Sequence, residues 1–141
     1  MIKLKEPKTL AIVFFPSGIY DTIGGFLFAF MVGTDRSIDN PPTHPFYAIF
    51  IASFLFCFAY LQLLSAFNIR RYVLIIGGVL IGRIFYAVLL FAYMFFVPDF
   101  PSTFWFTGII DVVWSILYIV LILINDEIRL RDLFLPYRGV S

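Results

Sequence analysis

Three charged side chains stand alone inside long apolar runs, and few folds can accommodate that pattern. Residues 9–34 contain one charge, Asp21; residues 72–98 contain one, Arg83; residues 100–125 contain one, Asp111; residues 45–69 contain none. Runs of this length and apolarity read as transmembrane helices. A charge inside such a helix is costly, by about 2.5 kcal/mol or more, so it faces a partner or a cavity. Two acids and one base on three different helices therefore predict a buried polar centre.

Composition agrees. Of 141 residues, 62% are hydrophobic and only 13% charged, with a mean hydropathy of +0.98. A water-soluble domain of this size needs far more charge on its surface. The expectation is a single all-α domain, an integral membrane four-helix bundle of up-down-up-down order. Its partners are the lipid bilayer and other membrane subunits or further copies of itself. The net charge of +1 and the lack of a basic patch interleaved with aromatics argue against nucleic acid. Cys57 is the sole cysteine, so no intrachain disulfide can form.

The predicted spans are 9–32, 46–67, 72–97 and 103–124, and each covers a hydrocarbon core of roughly 30 Å at about 1.5 Å per residue. Gly33-Thr34-Asp35 ends the first, and the proline-rich stretch Asn40–Pro45 precedes the second. Asn68–Arg71 makes a short turn that sets spans two and three side by side. Pro98–Ser102 joins three and four, with Ser102 or Thr103 as the helix cap. Lys3, Lys5 and Lys8 before the first run imitate a signal peptide. That run is too long, contains Asp21 and lacks a cleavage site, so it reads as a retained helix. Residues 125–141 form a tail, read either as a short interfacial helix ended by Pro136 or as a solvated segment.

Basic residues orient the bundle. Lys3, Lys5, Lys8, Arg70, Arg71, Arg129, Arg131 and Arg138 fall on one side and only Arg36 on the other. The positive-inside rule then places both termini and the 68–71 turn of a multi-pass membrane protein in the cytoplasm. Phe46, Tyr47, Phe104 and Trp105 at the outer ends, with Tyr72 at the inner face, fit interfacial aromatic belts.

Spans one and four share a motif. Without a gap, Ser17, Gly18, Ile19 and Asp21 align with Thr107, Gly108, Ile109 and Asp111. Such a match suggests an inverted repeat. Ser17, Asp21 and Gly25 follow i, i+4, i+8, as do Thr107, Asp111 and Ser115, so each set forms one helix face. Span two offers Ser53, Cys57 and Tyr60; span three offers Gly78 and Gly82 at Gly-x-x-x-Gly spacing beside Arg83, with Tyr86 one turn on. The candidate centre is Asp21, Arg83 and Asp111, supported by Ser17, Thr107, Ser115 and Tyr86. Pro16 predicts a bend in span one.

Two readings of the centre stand side by side. Arg83 pairs with both acids and fixes helix register, or the centre binds a polar headgroup, a quinone or a proton. A further alternative turns one of the three toward an external subunit. Asp35, Asp39 and His44 match no metal-ligand pattern, and the chain carries no Cys-x-x-Cys, haem-binding His pair, phosphate-binding glycine loop or nucleophile elbow. No metal, cofactor or catalytic residue is therefore expected from the motifs.

Gly18-Ile19-Tyr20-Asp21 in span one, Arg83 in span three and Gly108-Ile109-Ile110-Asp111 in span four resemble the small four-helix bacterial membrane proteins called DoxX-like or BphX-like. The resemblance implies the four-span layout and, through members linked to membrane redox enzymes, a quinone as the cofactor of the alternative reading. The leading expectation is a non-catalytic accessory or structural subunit of a larger membrane assembly. The alternative is a quinone-linked redox or transport protein using the Asp21–Arg83–Asp111 centre.

Overall fold

A computed structural model describes residues 8–32, 45–98, 100, 104–124 and 128–135. The loop that holds Asp35, Asp39 and His44, and the capping candidates Ser102 and Thr103, lie outside these residues. The described chain forms four long helices: α1 (Lys8–Leu27), α2 (Pro45–Phe67), α3 (Val73–Phe96) and α4 (Trp105–Ile124). Each is long and apolar enough to cross a membrane. Helix α1 runs through Pro16, whose ring lies on the exposed side, and continues as a π-helical turn over Phe28–Val32.

The helices alternate in direction. Along α1 and α2, Phe15 meets Phe67, Gly18 faces Leu63, and Phe26 meets Phe56. Along α3 and α4, Arg83 meets Asp111 and Tyr86 meets Thr107. Helices α1 and α4 are antiparallel too, since Phe14 stacks on Tyr118 and Phe28 on Phe104. Contact is extensive for α1–α2, next for α3–α4, and slight for α2–α3 and α1–α4. Spans two and three are antiparallel neighbours, as the short turn suggested, meeting at their turn and near Phe58–Gly82, though less closely than α1–α2 or α3–α4. The helices sit in ring order, which leaves α1 and α3 on one diagonal.

The turn between α2 and α3 follows from its residues. Asn68 Oδ1 accepts the Arg71 backbone N–H at 3.1 Å, and Asn68 O accepts the Tyr72 N–H at 3.2 Å. Ile69 is fully buried and pins the turn to the core.

Small residues face inward and large ones outward. Ala48, Ala52, Ala59 and Ala66 are the buried apolar face of α2, whereas Phe46, Phe50 and Phe54 stack along its outside. Small residues let helices approach closely, and dispersion contacts then hold them together. The tightest approach is at Gly77, where any Cβ would overlap the Leu133 carbonyl oxygen. Gly78, by contrast, faces open space, and Gly82 lies against the Phe58 ring of α2. The Gly-x-x-x-Gly pair is therefore no single packing seam; the glycine that matters most is the neighbour outside the motif.

Gly77 receives the end of the described chain. Residues 128–135 fold back as a 3-10 turn over Leu130–Leu133, burying Ile128 and Leu133 among Leu10, Ile69, Ile76 and Ile122. Over this stretch the tail is a short 3-10 turn whose Ile128 and Leu133 dock on the helices, while Leu130, Arg131 and Leu135 remain exposed. It closes one end of the bundle.

Candidate functional site

Arg83 is 4% exposed and sits about half-way along α3. Side chains from every other helix supply its acceptors. Its Nη1 donates to Asp111 Oδ1 on α4. Its Nη2 lies 2.7 Å from Asp21 Oδ2 and 2.9 Å from Ser17 Oγ on α1, and 3.2 Å from Gln62 Oε1 on α2. A planar cation with donors in a fixed fork suits such divided duty better than an ammonium would.

The surrounding hydrogen bonds are consistent in direction. Ser17 donates its one hydroxyl proton to Gln62 Oε1 at 2.5 Å and accepts from Arg83 and from the Tyr118 hydroxyl. Gln62 Nε2 donates to Asp21 Oδ2, the same oxygen that Arg83 contacts. Gln62 therefore presents its carbonyl to the donors and its amide to the carboxylate, using both ends of one side chain. Tyr118 is fully buried, and its ring is stacked on Phe14 at 4.3 Å, which aims its hydroxyl at Ser17.

The structure brings Asp21, Arg83 and Asp111 together with Ser17, but it separates the other three supporting residues from this network. Ser115 is buried yet bonds its own helix, donating to the Asp111 carbonyl oxygen at 2.7 Å. Thr107 donates to the Phe104 carbonyl oxygen at 2.7 Å, so the 2.7 Å contact between Tyr86 and Thr107 has Tyr86 as donor. Ser53, Cys57 and Tyr60 of α2 are all exposed on the outside of the bundle. Gln62 follows Ser53 by nine residues, about two and a half helical turns, and so projects from the opposite face. The residues that sequence reasoning passed over are Gln62 and, as a full member of the network, Tyr118. Gln62 had a signal: it is the one amide within α2, a helix without a charged residue.

The motif shared by α1 and α4 has a partial structural counterpart. Gly18 lies against Leu63 and Ala59 of α2, and Gly108 lies against Leu90 and Phe91 of α3. In each case the glycine three residues before the acid sits against the neighbouring antiparallel helix. The hydroxyls diverge, because Ser17 enters the network and Thr107 turns to its own backbone.

With both acids ionised the centre has a net charge of −1, and one proton on either acid neutralises it. Two grooves on the described surface, one lined by residues such as Phe15, Pro16 and Phe67 and the other by residues such as Tyr86, Tyr93 and Phe100, include no member of the network. Asp111 is its most accessible member, with 13% of its side chain exposed. Two buried donors, Arg83 Nε and Trp114 Nε1, find no acceptor among the described residues. No group of three or more His, Cys, Asp or Glu in metal-binding arrangement occurs among the described residues.

No relative stands behind this geometry. No protein-family model matches the chain, and neither a curated protein nor a solved structure matches it. The arrangement is read from its own chemistry: one guanidinium on α3 bonds side chains of the three other helices at a single point.

Proposed function

We propose that the chain is a multi-pass protein of a bacterial inner membrane, with the four helices crossing up-down-up-down and both termini and the 68–71 turn in the cytoplasm. It acts as a non-catalytic accessory or structural subunit of a larger membrane assembly. The outward-facing Phe, Ile and Leu side chains along all four helices support insertion, since a soluble monomer rarely exposes apolar patches beyond a few hundred Å². The observation that carries the structural role is the bonding of both Arg83 Nη atoms: each of the other three helices supplies a partner, and neither of the two grooves described above includes one of them. A buried ion pair held this way serves register and specificity more than net stability. With an apolar exterior, the surface available for work is the lateral one.

Gentle extraction of the full chain, with identification of all that co-elutes, tests this reading. The expected result is a stoichiometric membrane protein partner.

A second reading is favoured by the two orphan donors and by the partial exposure of Asp111. Arg83 Nε offers a hydrogen bond to a carbonyl oxygen, and a quinone headgroup has two. This is the quinone-linked redox or transport alternative, the one the DoxX-like resemblance would also imply. A quinone retained on extraction, lost in Asp111→Asn with the fold intact, would displace the subunit reading.

A further inference from the structure

The end of the bundle closed by residues 128–135 carries a ring of cations. Lys8 opens α1 two residues before buried Leu10; Arg70 and Arg71 follow buried Ile69; Arg129 and Arg131 lie between buried Ile128 and Leu133. Leu10, Ile69, Ile128 and Leu133 belong to one core cluster, so these cations surround the same end. Asp132, the one acid described here, turns inward on its own turn: its Oδ2 accepts the Arg129 backbone N–H at 3.0 Å, and its Oδ1 lies 3.6 Å from Arg131 Nε. Arg131 still has 67% of its side chain exposed. Among the described residues at this end, five basic side chains stand against one acidic one.

The same eight-residue stretch exposes Leu130, Phe134 and Leu135 at 41%, 46% and 64%. Apolar and cationic side chains thus alternate on a segment held at the level where four apolar helices end. Gly77 fixes that level, because the Leu133 backbone packs directly on α3 there. An acidic protein surface would match the arginines but leave the three apolar side chains unexplained. An anionic lipid headgroup with its acyl boundary matches both.

We propose that residues 128–135, with Arg71 and Lys8, form a binding surface for anionic phospholipid headgroups. This rests on the membrane reading above. It goes further in assigning headgroup selectivity to a docked, folded segment rather than to a general excess of positive charge.

The test uses the full chain in nanodiscs of phosphatidylcholine alone or mixed with phosphatidylglycerol, with retained lipid counted by native mass spectrometry after release into detergent. Phosphatidylglycerol should be retained in preference, and the preference should fall by about fivefold for each arginine removed in Arg129→Gln and Arg131→Gln. Neither substitution touches a buried side chain, and the Arg129 backbone bond to Asp132 survives. Inorganic phosphate should not compete at the same phosphate concentration; competition would indicate a free-phosphate site and overturn the lipid assignment. Equal retention of both lipids, or a preference untouched in the double variant, refutes the proposal while leaving the membrane reading intact. An acidic protein displaced by the double variant, with lipid retention unchanged, refutes it likewise. Loss of the wild-type chain from the membrane fraction on an alkaline wash would instead bring down the membrane reading, and this surface with it.

Discussion

The Asp21–Arg83 ion pair, 2.7 Å long, crosses the diagonal of the bundle from α1 to α3. Helices at opposite corners share almost no other contact, so adjacent-helix packing alone does not fix their relative height. The diagonal pair does, and Arg83 then ties the same point to α4 through Asp111. A cation bonded across one diagonal and to both adjacent helices leaves each helix little freedom to slide or rotate.

Removing that cation leaves two acids buried without a counter-charge. Arg83→Leu should destabilise the bundle by about 3 kcal/mol or more, read as the shift in a detergent-unfolding midpoint. Replacing all three charges together by apolar residues should recover much of the loss, because a buried ion pair is often no more stable than well-packed hydrophobic residues. A single variant as stable as the parent would mean that the centre does not hold the fold. A triple variant that folds and assembles but loses activity would favour the ligand or proton reading.

Gln62→Leu keeps the volume roughly constant and removes the bonds to Ser17, Asp21 and Arg83. Its expected cost is about 1–3 kcal/mol, the penalty of leaving buried polar groups unsatisfied. Ser53→Ala on the outer face of the same helix removes only a bond to its own backbone, to the Ile49 carbonyl oxygen, and should be near neutral. Equal effects at the two positions would contradict the assignment of faces on α2.

Adjacent glycines of α3 should behave oppositely. Gly77→Ala forces the Leu133 backbone away from the helix, and overpacking of this kind costs about 1–3 kcal/mol. Limited proteolysis should then cut residues 128–135 much faster. Gly78→Ala meets open space and trades a flexible residue for a helix former, so it should be neutral or stabilising by up to about 1 kcal/mol.

Cys57 offers a check on insertion. Its side chain is exposed on the protein surface, yet it lies well inside α2. A charged maleimide should fail to label it in intact membranes and succeed after denaturation. Rapid labelling in the native membrane would mean that this face of α2 meets water. Reporter fusions at positions 40 and 100 should score as external, and an internal score at either would reverse the topology drawn from the basic residues.

The four helices were legible because apolar length is a coarse signal that needs no partner to be recognised. Asp21, Arg83 and Asp111 were legible for a related reason: an isolated charge in such a run has to be accounted for. Gln62 was missed because an amide carries no charge and sits between two leucines, and because spacing alone drew attention to the Ser53, Cys57 and Tyr60 face. Periodicity identifies a face but does not say which way it points. The inward face of α2 is marked instead by alanines, which look like filler until the neighbouring backbone is in place. The docking of residues 128–135 was equally hidden, since it depends on one glycine in α3 that stands beside, and not within, the recognised Gly-x-x-x-Gly spacing.

The division of Asp21 between two donors has a consequence for assembly in time. A chain is delivered N-terminus first, so α1 and α2 are complete before Arg83 has been made. At that stage the buried acid already has the Gln62 amide, across the most extensive helix pair in the protein. Arrival of α3 then neutralises Asp21, and only afterwards does α4 bring the second acid to a cation already in position. On the membrane reading, Asp21 is held by the Gln62 amide until Arg83 arrives, and the third and fourth spans each meet a polar partner already in place.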